Sequence, residues 1–324
     1  MNVGLRASGS GHLRMWIRFG TFVLQSQIGL LGWVVTLGIN SPVGFGQSLS
    51  TGQPSLRRST TQSFSEKDYR DHLQKLKQRI PSTEFHVVLQ KPFVVIGDEE
   101  LAVVKQRAEG TVKWAVDHLK KDFFSKDPNV IVDIWLFRNK SSYEKNCQKI
   151  FGSVPTTPFG FYSSTHRALI MNISTGGGTL VHEIVHPFIE SNFPKCPSWF
   201  NEGLASLYEQ SRGKDGKIMG LTNWRLRGLQ LHIQDKRLPS FKTLCSTTRN
   251  EFYREDPGTN YAQARYLCYY LQQQGKLRTF YHRFVSNVNV DPTGYESLKK
   301  TLGETDMELF KKKWEKFVLD LRFE

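Results

Sequence analysis

The sequence predicts an α+β fold, with a mixed sheet and one long helix first and a mostly helical part after them. Three observations predict it. Between residues 85 and 173, short runs rich in Val, Ile and aromatic residues are separated by turn residues, as strands are. Within that stretch, residues 98–124 carry Leu101, Val104, Ala108, Val112, Ala115 and Leu119 at helical spacing. From residue 179 onward nearly every segment keeps the helical period. Strands first and helices after is the order of an α+β domain, not of repeated β-α units.

The chain divides into three parts. In residues 1–46 there are three arginines (Arg6, Arg14, Arg18) and no acid, and residues 28–39 are almost wholly apolar. A basic opening before about twelve apolar residues fits a signal peptide better than a bilayer span, which needs about twenty. Gly44 and Gly46 suit cleavage before Gln47; if residues 19–39 insert whole, the segment is instead a membrane anchor. Either way the expectation is export, to a periplasmic, extracellular or outward-facing anchored location. Residues 47–84 read as a linker, polar through residue 64, and then a short helix over residues 66–79 that stops at Pro81.

The main domain spans residues 85–324, with a sheet part at 85–178 and a helical part at 179–324. A strand pair at 85–96 turns at Lys91-Pro92, and Asp98 is the expected N-cap of the long helix that follows. A strand is expected at 130–137. Residues 159–163 and 168–173 form a hairpin around Ser164-Thr165-His166-Arg167. Helices follow at 179–190, 198–210, 222–235, 261–274, 276–287 and 306–321. The last shows Met307, Phe310, Trp314, Phe317 and Leu321 three and four apart, a stripe for core packing.

The formal charge is +14, of which the first 46 residues hold three. That excess favours anionic partners, but the Lys and Arg residues are scattered among acids, with no basic arm or paired Cys-x-x-Cys. No nucleic-acid partner is expected. Cys147, Cys196, Cys245 and Cys268 allow three disulfide pairings, and their spacing resembles no zinc knuckle; Cys268 has a core role on its helix.

The chemistry sits where sheet gives way to helix. His182-Glu183-Ile184-Val185-His186 places two imidazoles four residues apart, one above the other on one helix face. Two such imidazoles suit one zinc ion at about 2.0–2.1 Å. Glu183 falls on the flank of that face, free to act as a general base on zinc-bound water. Catalytic zinc needs a third ligand, and Glu202 in Trp199-Phe200-Asn201-Glu202-Gly203-Leu204-Ala205 supplies it from the next helix, whose expected N-cap is Ser198. Gly203 and Ala205 permit close helix approach. Gly176-Gly177-Gly178 reads as a flexible strand-to-helix connection, since no P-loop lysine follows.

These motifs, together with Gly160-Phe161-Tyr162 and Asn260-Tyr261-Ala262-Gln263-Ala264, resemble the gluzincin metallopeptidases, in particular the peptidase MA-like proteins of the thermolysin clan. The resemblance covers about residues 85–324. It implies a zincin-like fold and peptide-bond hydrolysis with zinc on His182, His186 and Glu202 and with Glu183 as base. It implies that the strand at 168–173 is an edge that pairs with an extended protein or peptide substrate. It also implies a tyrosine that stabilises the oxyanion, for which Tyr261 fits the slot and Tyr266 is the alternative. Three departures stand out. Pro187 directly follows His186, so the helix is expected to kink or end early. Ser206 occupies the position where an aspartate often orients a histidine. The gap from His186 to Glu202 is short. The competing reading is an exported zinc-containing protein without turnover, binding anionic polymers through its basic surface.

Overall fold

The computed structural model describes residues 64–255 and 258–323. The expected signal peptide or anchor and most of the linker lie outside the described residues. Among those described, no helix is long and apolar enough to cross a membrane.

A first helix, α1 (Glu66–Lys77), is closed at its N-terminus by a capping box between Ser65 and Asp68. Strands β1 (His86–Gln90) and β2 (Phe93–Gly97) pair antiparallel. The long helix then runs as α2 (Leu101–Arg107), a π-helical turn (Ala108–Lys113) and α3 (Trp114–Asp122). Asp98 does not cap it. Its buried carboxylate instead accepts from the Arg138 backbone N–H at 2.6 Å and from the Ser142 hydroxyl, binding together the two loops at this end of the sheet.

Strand β3 (Val132–Phe137) follows, then a helix the sequence reading left out, α4 (Lys140–Phe151). Asn139 caps it through Ser142 N–H, and Gly152 ends it at φ 77°, so both of its ends carry standard signals. Strands β4 (Gly160–Ser163) and β5 (Ala168–Asn172) make the expected hairpin. The sheet order is β1-β2-β3-β5-β4, with β2, β3 and β5 parallel and both outer strands antiparallel to their neighbours. This corrects one expectation: β5 lies between β3 and β4, and the edge at this end of the sheet belongs to β4. β4 covers one side of β5 and β3 pairs in parallel with the other, so β5 has no open side.

Alternation along the strands sends residues to two cores. Phe93, Val95, Ile134, Leu136, Leu169 and Met171 face the larger core, shared with the long helix and the C-terminal helices. Val94, Ile96, Trp135, Phe137 and Ile170 face the other, covered by α1 and α4 through Tyr69, Leu76, Tyr143 and Cys147. Asp133, buried among them, is met by His72 Nε2 at 2.6 Å, which ties α1 to the sheet.

Helix α5 (Gly177–Asn192) contains both histidines of the motif. It does not end at Pro187 but continues to Asn192. Pro187, Phe188 and Ile189 are buried there, and their packing outweighs the hydrogen bond that a proline cannot make. Helix α6 (Ser198–Leu207) is three residues shorter than expected, and the chain then forms a hairpin instead, β6 (Ser211–Lys214) and β7 (Lys217–Gly220). Its turn is Asp215-Gly216, both with positive φ, a standard hairpin signal. It went unread because Arg212-Gly213-Lys214 lacks an apolar alternation, and of the hairpin only Ile218 and Gly220 are buried.

The remaining helices are α7 (Arg225–Gln234), α8 (Phe241–Cys245), α9 (Thr259–Gln273), α10 (Leu277–Asn287), α11 (Tyr295–Leu302) and α12 (Met307–Asp320). A π-helical turn (Glu251–Glu255) precedes α9. Of the α12 stripe, Met307, Phe310 and Trp314 are buried, Phe317 and Leu321 pack partly buried against the same core, and the Trp314 indole donates to the Tyr266 carbonyl. All four cysteines are free thiols.

Helix α6 packs against both α5 and α9, and two glycines permit it. A Cβ on Gly203 would lie 3.0 Å from the Ala264 carbonyl of α9, and one on Gly178 would lie 1.9 Å from the Glu209 carbonyl. Gly228, exposed inside α7, meets nothing within 4 Å. Gly178→Ala and Gly203→Ala should each destabilise the fold by about 1–3 kcal/mol. Gly228→Ala should stabilise it by about 0.5–1 kcal/mol. Urea melts of the three variants distinguish close approach from simple helix propensity.

Candidate metal centre

Helix geometry brings His182 and His186 together, with ring centroids 5.0 Å apart and planes at 75°. Helix α6 delivers Glu202 to the same point. Pro197 stands at its N-cap position, and Ser198 is the first helical residue and not the expected cap. His182 Nε2 lies 3.3 Å from Glu202 Oε2, and His186 Nε2 lies 4.0 Å from Glu202 Oε1. One donor atom from each residue falls within 4.8 Å of the others. Tetrahedral bonds of about 2.0–2.1 Å put donor atoms about 3.4 Å apart, so the trio fits a zinc-sized ion with little adjustment.

Each donor is held from behind. His186 Nδ1 meets Asn201 Oδ1 at 3.0 Å, a side chain adjacent to Glu202 on α6. His182 Nδ1 lies 3.3 Å from Glu209 Oε1, an ion-pair distance at which the ring N–H is not aligned for a hydrogen bond. Both Nδ1 atoms thus face oxygen acceptors, which leaves both Nε2 atoms for a metal. The Tyr253 hydroxyl donates to Glu202 Oε1 at 2.6 Å.

The partner of His182 corrects the sequence reading. Ser206 does not take the orienting position. Its hydroxyl is buried and has no partner among the described residues. Glu209, just past the end of α6, does so instead. Its carboxylate is gripped by Arg225 through Nε at 3.1 Å and Nη2 at 2.8 Å, and it accepts from Asn223 Nδ2 at 3.0 Å. Glu209 fell at the tail of the segment expected as helix, two turns after Glu202 and on the same face, so the i, i+7 spacing was the signal that offered it beside Ser206. Tyr253, in the π-helical turn, left no periodic signal.

Three tyrosines come near this region. Tyr266 is fully buried, and its hydroxyl accepts from the Asn223 backbone N–H at 3.0 Å, so it is a core residue and not a donor to substrate. Tyr253 commits its hydroxyl to Glu202. Tyr261 is half-buried at the start of α9, its ring 6.1 Å from that of Tyr253.

The electrostatics favour a cation. Glu183, Glu202 and Glu209 are all nearly buried, at 11%, 7% and 8% side-chain exposure. Burial opposes charge on Glu202, yet His186, His182 and Tyr253 hold it down at about 2. Burial likewise opposes charge on Glu209, which His182 and Arg225 hold at about 2. Burial also opposes charge on His182, but Glu202, Glu209 and Glu183 outweigh it and raise that imidazole to about 10. Burial pushes the Tyr253 and Tyr261 hydroxyls well above their usual range, so both are protonated donors at neutral pH.

No family model and no curated protein matches the chain.

If Glu202 is a ligand and Glu209 a tether, their variants should separate. Glu202→Ala should bind no stoichiometric zinc after dialysis. Glu209→Ala should weaken zinc by about 10–100-fold, and Ser206→Ala should leave it within about twofold. Competition against a chromogenic chelator reads all three, and zinc binding by Glu202→Ala at the parental affinity would remove it from the ligand set.

Proposed function

We propose that this protein is a zinc metallopeptidase of the gluzincin type, hydrolysing peptide bonds in a protein or peptide substrate. The observation that carries the reading is the convergence of His182, His186 and Glu202, with the unligated carboxylate of Glu183 3.8 Å from His186 Nε2. A purely structural site has no use for a nearly buried base beside its ligands. Zinc bound by the three residues supplies a Lewis acid for the scissile carbonyl and lowers the pKa of water to about 7.

The chain's own residues do the rest. Glu183, fixed one position after His182, accepts the proton of the attacking water and hands it to the leaving amine. Asn201 and Glu209 keep the imidazoles turned so that each Nε2 points at the shared position. Tyr253 holds one oxygen of Glu202, and Tyr261 donates to the carbonyl oxygen as negative charge builds on it.

The substrate lies along β4. That strand is the sheet edge beside α5, and the Tyr162 hydroxyl pins it to Glu190 of α5 at 2.8 Å. An extended peptide added there gains main-chain hydrogen bonds and runs past the metal helix. The fold is zincin-like in this reading, with the edge role taken by β4. The basic, apolar opening of the chain supports an exported substrate.

Glu183→Gln should retain one zinc per chain and lose about 10²–10⁴-fold in cleavage of casein or a peptide library. Undiminished cleavage would end the base assignment. With zinc saturating, Tyr261→Phe should lower kcat by about 10²–10³-fold with KM within twofold. A parental kcat in Tyr261→Phe, with a large loss in Tyr253→Phe, would transfer the donor role to Tyr253.

A further inference from the structure

Arg225, at the first position of α7, does two things at once. Its fork grips both oxygens of Glu209, the carboxylate that faces His182. Its guanidinium also lies 5.2 Å from the Tyr261 ring centroid and 5.7 Å from that of Trp224, within range of cation–π attraction to both. Tyr261 and Glu209 come from different elements, and Arg225 is the group that touches both. A planar fork with an aromatic on its face is a role lysine does not fill.

We infer that Arg225 is a positioning residue that couples the metal ligand His182, through Glu209, to the placement of Tyr261. This rests on the metal-centre reading. In this arrangement the grip on Glu209 fixes the imidazole, and the same rigid plane fixes the phenol ring. Loosening either contact loosens the other. The half-buried position helps: Arg225 side-chain exposure is 24%, so its contacts are only partly screened.

The test uses the full-length protein and Co²⁺, which accepts the same N and O donors and reports its coordination by visible absorption. Arg225→Met should weaken Co²⁺ by about 10–100-fold and alter its spectrum. Arg225→Lys keeps the charge and guards against misfolding; it should fall between parent and Arg225→Met. Tyr261→Leu, which removes the ring beneath the guanidinium together with its hydroxyl and its contacts with Phe252 and Tyr253, should weaken Co²⁺ severalfold in the parent and have no further effect in Arg225→Met. Arg237→Gln, on an exposed pair, is the control and should match the parent. Parental Co²⁺ affinity and spectrum in both Arg225 variants would overturn the inference, and so would fully additive losses in the double variant. The cycle needs no cleavage, so a parent that binds Co²⁺ and cuts nothing fails the peptidase reading alone. A parent that binds no Co²⁺ overturns the metal centre and the coupling together.

Discussion

Two imidazoles on one helix and a carboxylate on another can meet only where the two helices cross at close range, and here that crossing governs everything near it. Helix α6 is wedged between α5 and α9. On one side Gly203 accepts the Ala264 backbone, and on the other the chain just past α6 presses onto Gly178 at the start of α5. Side chains at either position would drive the helices apart and carry Glu202 away from the histidines. The aromatic packing of Trp199 and Phe200 against Phe280 and Phe284 anchors α6 from below, at ring separations of 5.1–6.3 Å. The large apolar face of the second half thus fixes a polar site that it does not itself contain.

The same crossing gathers charge that water cannot reach. Three carboxylates and two imidazoles sit nearly buried together, and isolated charges in such a place are strongly unfavourable. Pairing makes the burial tolerable. Arg225 offsets Glu209, the Tyr253 hydroxyl and the imidazoles offset Glu202, and His182 is driven toward its charged form. Among the described residues Arg225, partly exposed, pairs only with Glu209, and the fully buried Arg265 gives its bonds to the Ser206 and Leu221 carbonyls, so the carboxylates are incompletely paired. A divalent cation among the donor atoms would satisfy the remainder more fully than a proton does. On the proposed reading, stability and chemistry ask for the same ion in the same place.

Much of this was legible in the sequence because it rests on local periodicity. His182 and His186 share a face by helical arithmetic, and the positions of α1, α5, α7, α9, α10 and α12 follow from apolar spacing to within a few residues. What escaped was diluted by polar residues. Helix α4 buries Tyr143 and Cys147 with Ile150 and Phe151 packed beside them, a helical period set among Lys, Ser, Asn and Gln, and Asn139 and Gly152 flag its ends; the β6–β7 hairpin buries only Ile218 and Gly220 and is flagged by Asp215-Gly216. The edge strand was misplaced because which side of a hairpin faces outward is a tertiary fact. Asp98 and Ser198 look like caps in isolation, but a buried loop contact claimed the first and Pro197 took the cap position before the second.

The exchange of Ser206 for Glu209 turns on where α6 ends. On an uninterrupted helix, a partner for His182 would sit one turn beyond Glu202, and a serine there promises a weak tether. But α6 stops at Leu207, and the departing chain turns back over the start of α5. The Tyr208 and Glu209 N–H groups still bond back to the Ala205 and Ser206 carbonyls, so Glu209, two turns beyond Glu202, reaches His182 from the last turn past the helix end. That position also places the carboxylate where Asn223 and Arg225 can reach it, which Ser206, sealed inside α6, cannot offer. The early end of α6 and the strength of the tether are therefore one feature.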